Sequence, residues 1–188
     1  VPLPLTEKEL RGNDMFNLIQ KFLSKDRSNK SHIRKNFVSH FYSLPEHAWI
    51  LEGQEKNHFD KLFSYLPANL LEAMMTKNPI VFVQSENLKT NTHGGMFANT
   101  IVVFPEFQKL LKTEKKSAVA YLAHEIAFIL LELEGLKNET IMAEVEADKF
   151  VSDLGLMFEL EELLLMLDES IEKRLRLTYL TIHHFKDL

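Results

Sequence analysis

Ala118-Val-Ala-Tyr-Leu-Ala-His124-Glu125-Ile-Ala-Phe128-Ile-Leu-Leu131 is the stretch that decides the fold. Twelve of its fourteen residues are apolar or tyrosine, and they cover every side of a helix. A helix that is apolar all round is a buried one, so other elements have to wrap it. At 14 residues the run is shorter than the ~20 needed to cross a bilayer. His124 and Glu125 sit in its middle, and burying such groups without partners costs several kcal/mol. Each must therefore meet a partner from another element.

The next acidic helix is the nearest source. Glu144, Glu146 and Asp148 lie on a stretch that reads helical over 139–154, and Glu144 and Asp148, four apart, share a face. The connection around Gly135, read as a helix C-cap, is short. The two helices should pack antiparallel and return Glu144 and Asp148 toward His124. A histidine and two carboxylates converging in a buried cleft have the composition of a hydrolytic zinc site.

The central helix is expected over about 117–134, and further helices at about 106–113, 158–168 and 170–185. Upstream, Met15, Phe16, Leu18, Ile19, Phe22 and Leu23 predict a helix over 13–24, behind an extended lead-in at Val1–Leu5. Lys25–Ser31 reads as a loop, and helices follow at 33–42, 59–65 and 66–75. Ile80-Val-Phe-Val83 and Met96–Phe104 read as strands, with His93-Gly94-Gly95 as a turn between them. The expectation is one α+β domain over 1–188, mostly α, with a small sheet.

Composition narrows the function classes. The 188 residues carry 22 Lys and Arg against 27 Asp and Glu, and no cysteine. Disulfides, cysteine zinc sites and thiol catalysis are excluded. A net charge of −5 argues against nucleic acid as a partner, because phosphate affinity needs a basic surface. Residues 1–42 carry eight Lys and Arg against four acids, whereas 139–172 carry eleven acids against Lys149 alone. These ends are expected to be solvated faces, or to pair with each other or with a second copy. The start at Val1 rather than Met suits a chain behind a removed signal peptide, as in a periplasmic or secreted protein, and equally a start set by cloning choice.

His124-Glu125-Ile-Ala-Phe128 is the HExxH zincin motif with its last residue changed. Glu144-Val-Glu-Ala-Asp148, starting twenty residues past the histidine, matches ExxAD. In that order the pair resembles the signature of the gluzincin-type zinc metallopeptidases, specifically the group of Ste24, HtpX and Oma1 relatives. Asn99–Val103 looks like the strand such enzymes place before the active-site helix. Ser117–Ala123 looks like their run-up to HExxH, and Ser170-Ile-Glu-Lys-Arg174 like a serine-to-arginine element that follows. The resemblance covers roughly residues 60–180. It implies a zincin-like core over 59–188 beside an N-terminal helical part over 1–58.

The resemblance also implies roles. His124 would be a zinc ligand, Glu125 the general base, Glu144 a ligand from the next helix, and Asp148 the group orienting His124. Glu146 would be solvated. Thr100, Ile101, Val102 and Val103 would be the edge on which a peptide substrate pairs its backbone.

The departure is Phe128, where the family has its second histidine. A phenyl ring has no lone pair for a metal, and a catalytic zinc normally takes three protein ligands and a water. Zinc is therefore expected to be weak or absent, and hydrolysis impaired. His93 and the His183-His184 pair are the least implausible substitute ligands. Whether natural or introduced, Phe128 leaves three readings: an impaired metallopeptidase, a pseudopeptidase module that holds a peptide or protein without cutting it, or a structural helical domain. Phe128→His is expected to restore zinc uptake.

Overall fold

A computed structural model of the chain describes residues 30–51, 53–77, 79–85, 99–133 and 140–186. The expected helix at 13–24, the lead-in, the His93-Gly94-Gly95 turn and the Gly135 cap lie outside them. The elements are α1 (Lys30–Ser43), a 3-10 helix (Pro45–Leu51), α2 (Gln54–Tyr65), α3 (Ala68–Thr76), β1 (Ile80–Gln84), β2 (Asn99–Val103), α4 (Pro105–Leu111), α5 (Ser117–Leu133), α6 (Thr140–Asp153), α7 (Met157–Met166) and α8 (Ile171–Lys186). The chain is mostly helical with a small sheet, as its patterning predicts.

α5 is the hub. It packs on α2, α4, α6 and α7 and on β2, and Ala118 through His124 are all buried. Its Tyr121 ring stacks on Phe107 of α4, centroids 4.0 Å apart and planes within 3°. On the N-terminal side the core is aromatic. Phe41 packs with Phe37, Phe59, Phe63 and Phe82, joining α1, α2 and β1. Each such buried side chain is worth about 1.5–3 kcal/mol of burial. The boundary expected at 58/59 falls inside α2, whose Phe59 and Phe63 belong to this shared core.

Polar side chains tie these elements where backbone groups run out of partners. Arg34 of α1 donates from Nε to Phe63 O and from Nη2 to Leu66 O, both at 2.8 Å, satisfying carbonyls at the end of α2. Buried His47 donates from Nδ1 to Phe41 O at 2.7 Å and accepts the Phe82 N–H at 3.0 Å. It thereby pins the 3-10 helix between α1 and β1. Neither the 3-10 helix nor the role of His47 was expected from the sequence.

β1 and β2 pair in parallel, Ile80 opposite Asn99 through Gln84 opposite Val103. Parallel strands need a crossover of a dozen or more residues, which residues 85–98 supply in length. Asn99 N–H donates to Pro79 O at 2.8 Å, and Ser85 N–H to Val103 O at 3.0 Å. Odd-numbered residues of β2 therefore turn their backbone toward β1. Thr100 and Val102 turn theirs to the opposite edge.

α6 ends on Gly155 at φ +81°. Gly155 N–H donates to Ser152 O at 2.8 Å and Leu156 N–H to Val151 O at 3.2 Å, the paired bonds of a Schellman cap. A β-carbon at Gly155 would meet nothing within 4 Å, so only the left-handed backbone disfavours a side chain there. Gly155→Ala is expected to cost about 1 kcal/mol. That should appear as a Tm lower by roughly 2–4 °C in a chain of this size.

Candidate functional site

The site forms where α5, α6 and α8 meet, and its members arrive by helical spacing. His124 lies midway along α5, on the side facing α6. Glu144 and Asp148, one turn apart on α6, bracket its ring. His124 Nε2 is 3.0 Å from Glu144 Oε2, and Nδ1 is 2.9 Å from Asp148 Oδ1. Both ring nitrogens thus face a carboxylate, and both donate when the ring is protonated. His124 and Asp148 are buried and Glu144 is half-buried.

The fourth member is Arg176 of α8. Its Nε is 2.7 Å from Asp148 Oδ2 and its Nη2 2.7 Å from Asp148 Oδ1, a two-pronged pairing. Its Nη1 is 2.8 Å from Glu144 Oε2, the oxygen that His124 also contacts. Glu172 approaches Nη1 at 3.6 Å from the rim. The like-charged contact, Arg176 Nη2 to His124 Nδ1, is 3.4 Å. His124 and Arg176 thus face two carboxylates, Asp148 fully buried and Glu144 half-buried.

The electrostatics follow. Burial pushes the His124 imidazole down, but hydrogen bonds to Asp148 and Glu144, with the Asp148 charge, more than offset it. Arg176 opposes them weakly, and the net pKa is raised to about 9. Asp148 would be raised by burial, yet bonds from His124 and Arg176 hold it below the usual carboxylate range. Glu125 faces the same cluster but is raised, chiefly by desolvation. A carboxyl raised in this way is a stronger base once ionised, while a smaller fraction of it is ionised at a given pH.

Each expected site residue can now be placed. His124, Glu144 and Asp148 come together as the spacing implies. Phe128 lies beside them, its ring centroid 6.3 Å from that of His124 and tilted by 20°. Glu146 is half-buried rather than solvated. Burial, followed by the charges of Glu146, Asp153 and Asp148, pushes the Tyr179 phenol up to about 12. Thr100–Val103 form β2, which packs on α5. His93 and the side chains of His183 and His184 lie outside the described residues.

The serine-to-arginine element supplies a helix cap. Ser170 does cap α8, accepting the Lys173 N–H at 3.0 Å. But Arg174 is exposed and pairs with Glu169 at 3.4 Å. The arginine that enters the site is Arg176, missed because it lies outside the quoted element. A signal was present. Lys173, Arg176 and Leu180, at helical spacing, form the buried stripe of α8.

These side chains do not fit a catalytic zinc. Phe128 offers no donor atom, each His124 nitrogen is engaged by a carboxylate, and Glu144 Oε2 carries Arg176. Among the described residues, no group of three or more His, Cys, Asp or Glu side chains is arranged to hold a metal ion. A groove of about 140 Å³ lies elsewhere, between α7 and α8. Among the described residues no helix is long and apolar enough to cross a membrane. Comparisons with family models, with curated proteins and with solved structures each returned no match.

Proposed function

We propose that this chain is a pseudopeptidase module: a zincin-like helix pair, related in design to the gluzincin metallopeptidases, that holds an extended polypeptide without cutting it. One observation carries the reading. Where the motif pair calls for a metal, His124 is engaged on both ring nitrogens by Glu144 and Asp148. The motif acids thus keep a structural task after the ligand at 128 has gone. The parent chemistry, zinc-assisted hydrolysis of a peptide bond, would need His124 and Glu144 as ligands and Glu125 as base. This chain supplies them without the third ligand.

The polypeptide would pair with the outer edge of β2, toward which Thr100 and Val102 turn their N–H and C=O groups. Strand addition of this kind takes its affinity from main-chain hydrogen bonds and is tolerant of sequence. An unfolded protein, fluorescently labelled casein, is a suitable probe. The wild-type chain is expected to bind it and leave it intact over a day with added zinc. Val102→Pro removes one outward N–H at an edge position, where proline is tolerated. It should weaken binding about tenfold, the loss of roughly one well-made hydrogen bond. Cleavage that Glu125→Gln abolishes would restore the metallopeptidase reading. Absence of binding would leave the structural helical domain.

A further inference from the structure

We propose that Arg176 is a built-in cation that takes over the metal's electrostatic task, so that the loss of metal in this chain has two determinants, Phe128 and Arg176. The inference rests on the pseudopeptidase reading and extends it to a residue outside the motif pair. Phe128 explains why a ligand is missing. It does not explain how the fully buried Asp148 carboxylate keeps its charge, since buried ions need compensation. Arg176 does. It delivers a permanent positive charge that no pH in the physiological range removes. It engages both oxygens of Asp148 at 2.7 Å and reaches Glu144 Oε2 at 2.8 Å.

The placement matters as much as the charge. As Asp148 Oδ1 also does, Glu144 Oε2 contacts both His124 and Arg176. A cation arriving from solution would have to displace the guanidinium from that oxygen, and would feel its repulsion while doing so. Arg176 is itself buried and held from the rim by Glu172 at 3.6 Å, so it cannot swing out without leaving the buried Asp148 charge to His124 alone. The same contacts fasten α8 to α6 and, through His124, to α5. Arg176 is thus both the counter-ion and the clamp of the three-helix junction. It follows that Phe128→His alone supplies an imidazole without vacating Glu144.

The test compares four proteins by zinc titration calorimetry and by Tm with and without zinc: wild type, Phe128→His, Arg176→Met, and the double variant. Arg176→Gln is run beside Arg176→Met, in both backgrounds, because its amide can still donate to Asp148 if the methionine variants fail to fold. The double variant is expected to bind about one equivalent of zinc, roughly 10- to 100-fold more tightly than Phe128→His, the worth of relieving one close ion pair at Glu144. Its Tm should climb with zinc, whereas that of Arg176→Met should not. Equal zinc affinity in Phe128→His and the double variant would overturn the role of Arg176 and leave the pseudopeptidase reading standing. Folded Phe128→His and double variants that both ignore zinc would overturn the metallopeptidase ancestry, and this inference with it.

Discussion

Asp148→Ala is expected to be the most damaging single substitution at the helix junction, costing about 3–5 kcal/mol of stability, the range for removing one partner of a buried ion pair. Asp148 is fully buried, with 0% of its surface exposed. Its two oxygens hold His124 Nδ1 at 2.9 Å and Arg176 at 2.7 Å twice over. Truncation leaves a buried guanidinium with Glu144 as its main counter-charge and an imidazole stripped of one partner. The penalty comes from desolvated charge rather than lost packing, so isosteric Asp148→Asn should recover only part of it. Its amide can accept one hydrogen bond but brings no charge to Arg176. Chemical denaturation at neutral pH measures both variants. A loss below 1 kcal/mol for Asp148→Ala would mean that water reaches the junction and that the four side chains do not form a closed network.

Most helices were legible because their apolar periodicity is strong. The stretch 117–134 reads as α5, 139–154 as α6 and 158–168 as α7, each within two residues of the observed bounds. Where the reading failed, periodicity was absent or tertiary. The 3-10 helix over Pro45–Leu51 is too short to show a period, and a buried histidine from it fastens β1. The start of α2 at Gln54 was not legible, because the polar run Gln54–His58 gives no apolar cue before Phe59. The two strands were visible as β-branched runs. Their parallel pairing was not, since direction is set by the path of the chain between them.

At the site, His124, Glu144 and Asp148 were legible because one buried histidine on α5 needs partners and two acids one turn apart share a face of α6. Arg176 was not, because the resemblance drew attention to Arg174, and residues two apart on a helix point to nearly opposite sides. The physical cue lay in α8 itself. An arginine on the stripe that carries Leu180 has to be buried, and a buried arginine requires carboxylates. The acid-rich helix α6 was the nearest supply. Asking where each helix buries its stripe would have found Arg176, whereas matching motifs did not.

Raising the pH through about 9 is expected to remove about 2–3 kcal/mol of stability, because His124 is held protonated in the folded chain. Its pKa rises from the ordinary value of 6.5 to about 9 on folding. Between those values the folded state binds the proton and the unfolded state releases it, so stability falls as pH climbs. Below pH 6.5 the contribution is complete, and above about 9 it is gone. The groups that set it are Asp148 and Glu144 on α6, which favour the imidazolium, and Arg176 on α8, which opposes it. The acid side behaves in the opposite way. His47, pushed below its usual value by burial, contributes stability that is lost as pH falls below 6.5. Asp148, held low by His124 and Arg176, contributes stability that is lost as pH falls through its folded pKa. A stability profile from urea melts between pH 6.5 and 9.5 isolates the His124 limb, since tyrosines begin to ionise in the unfolded chain only near pH 10. His124→Gln keeps one donor and one acceptor but cannot titrate, and should flatten that limb. A wild-type profile that is already flat would mean that His124 is neutral. The positive charge opposing Asp148 and Glu144 would then rest on Arg176 alone.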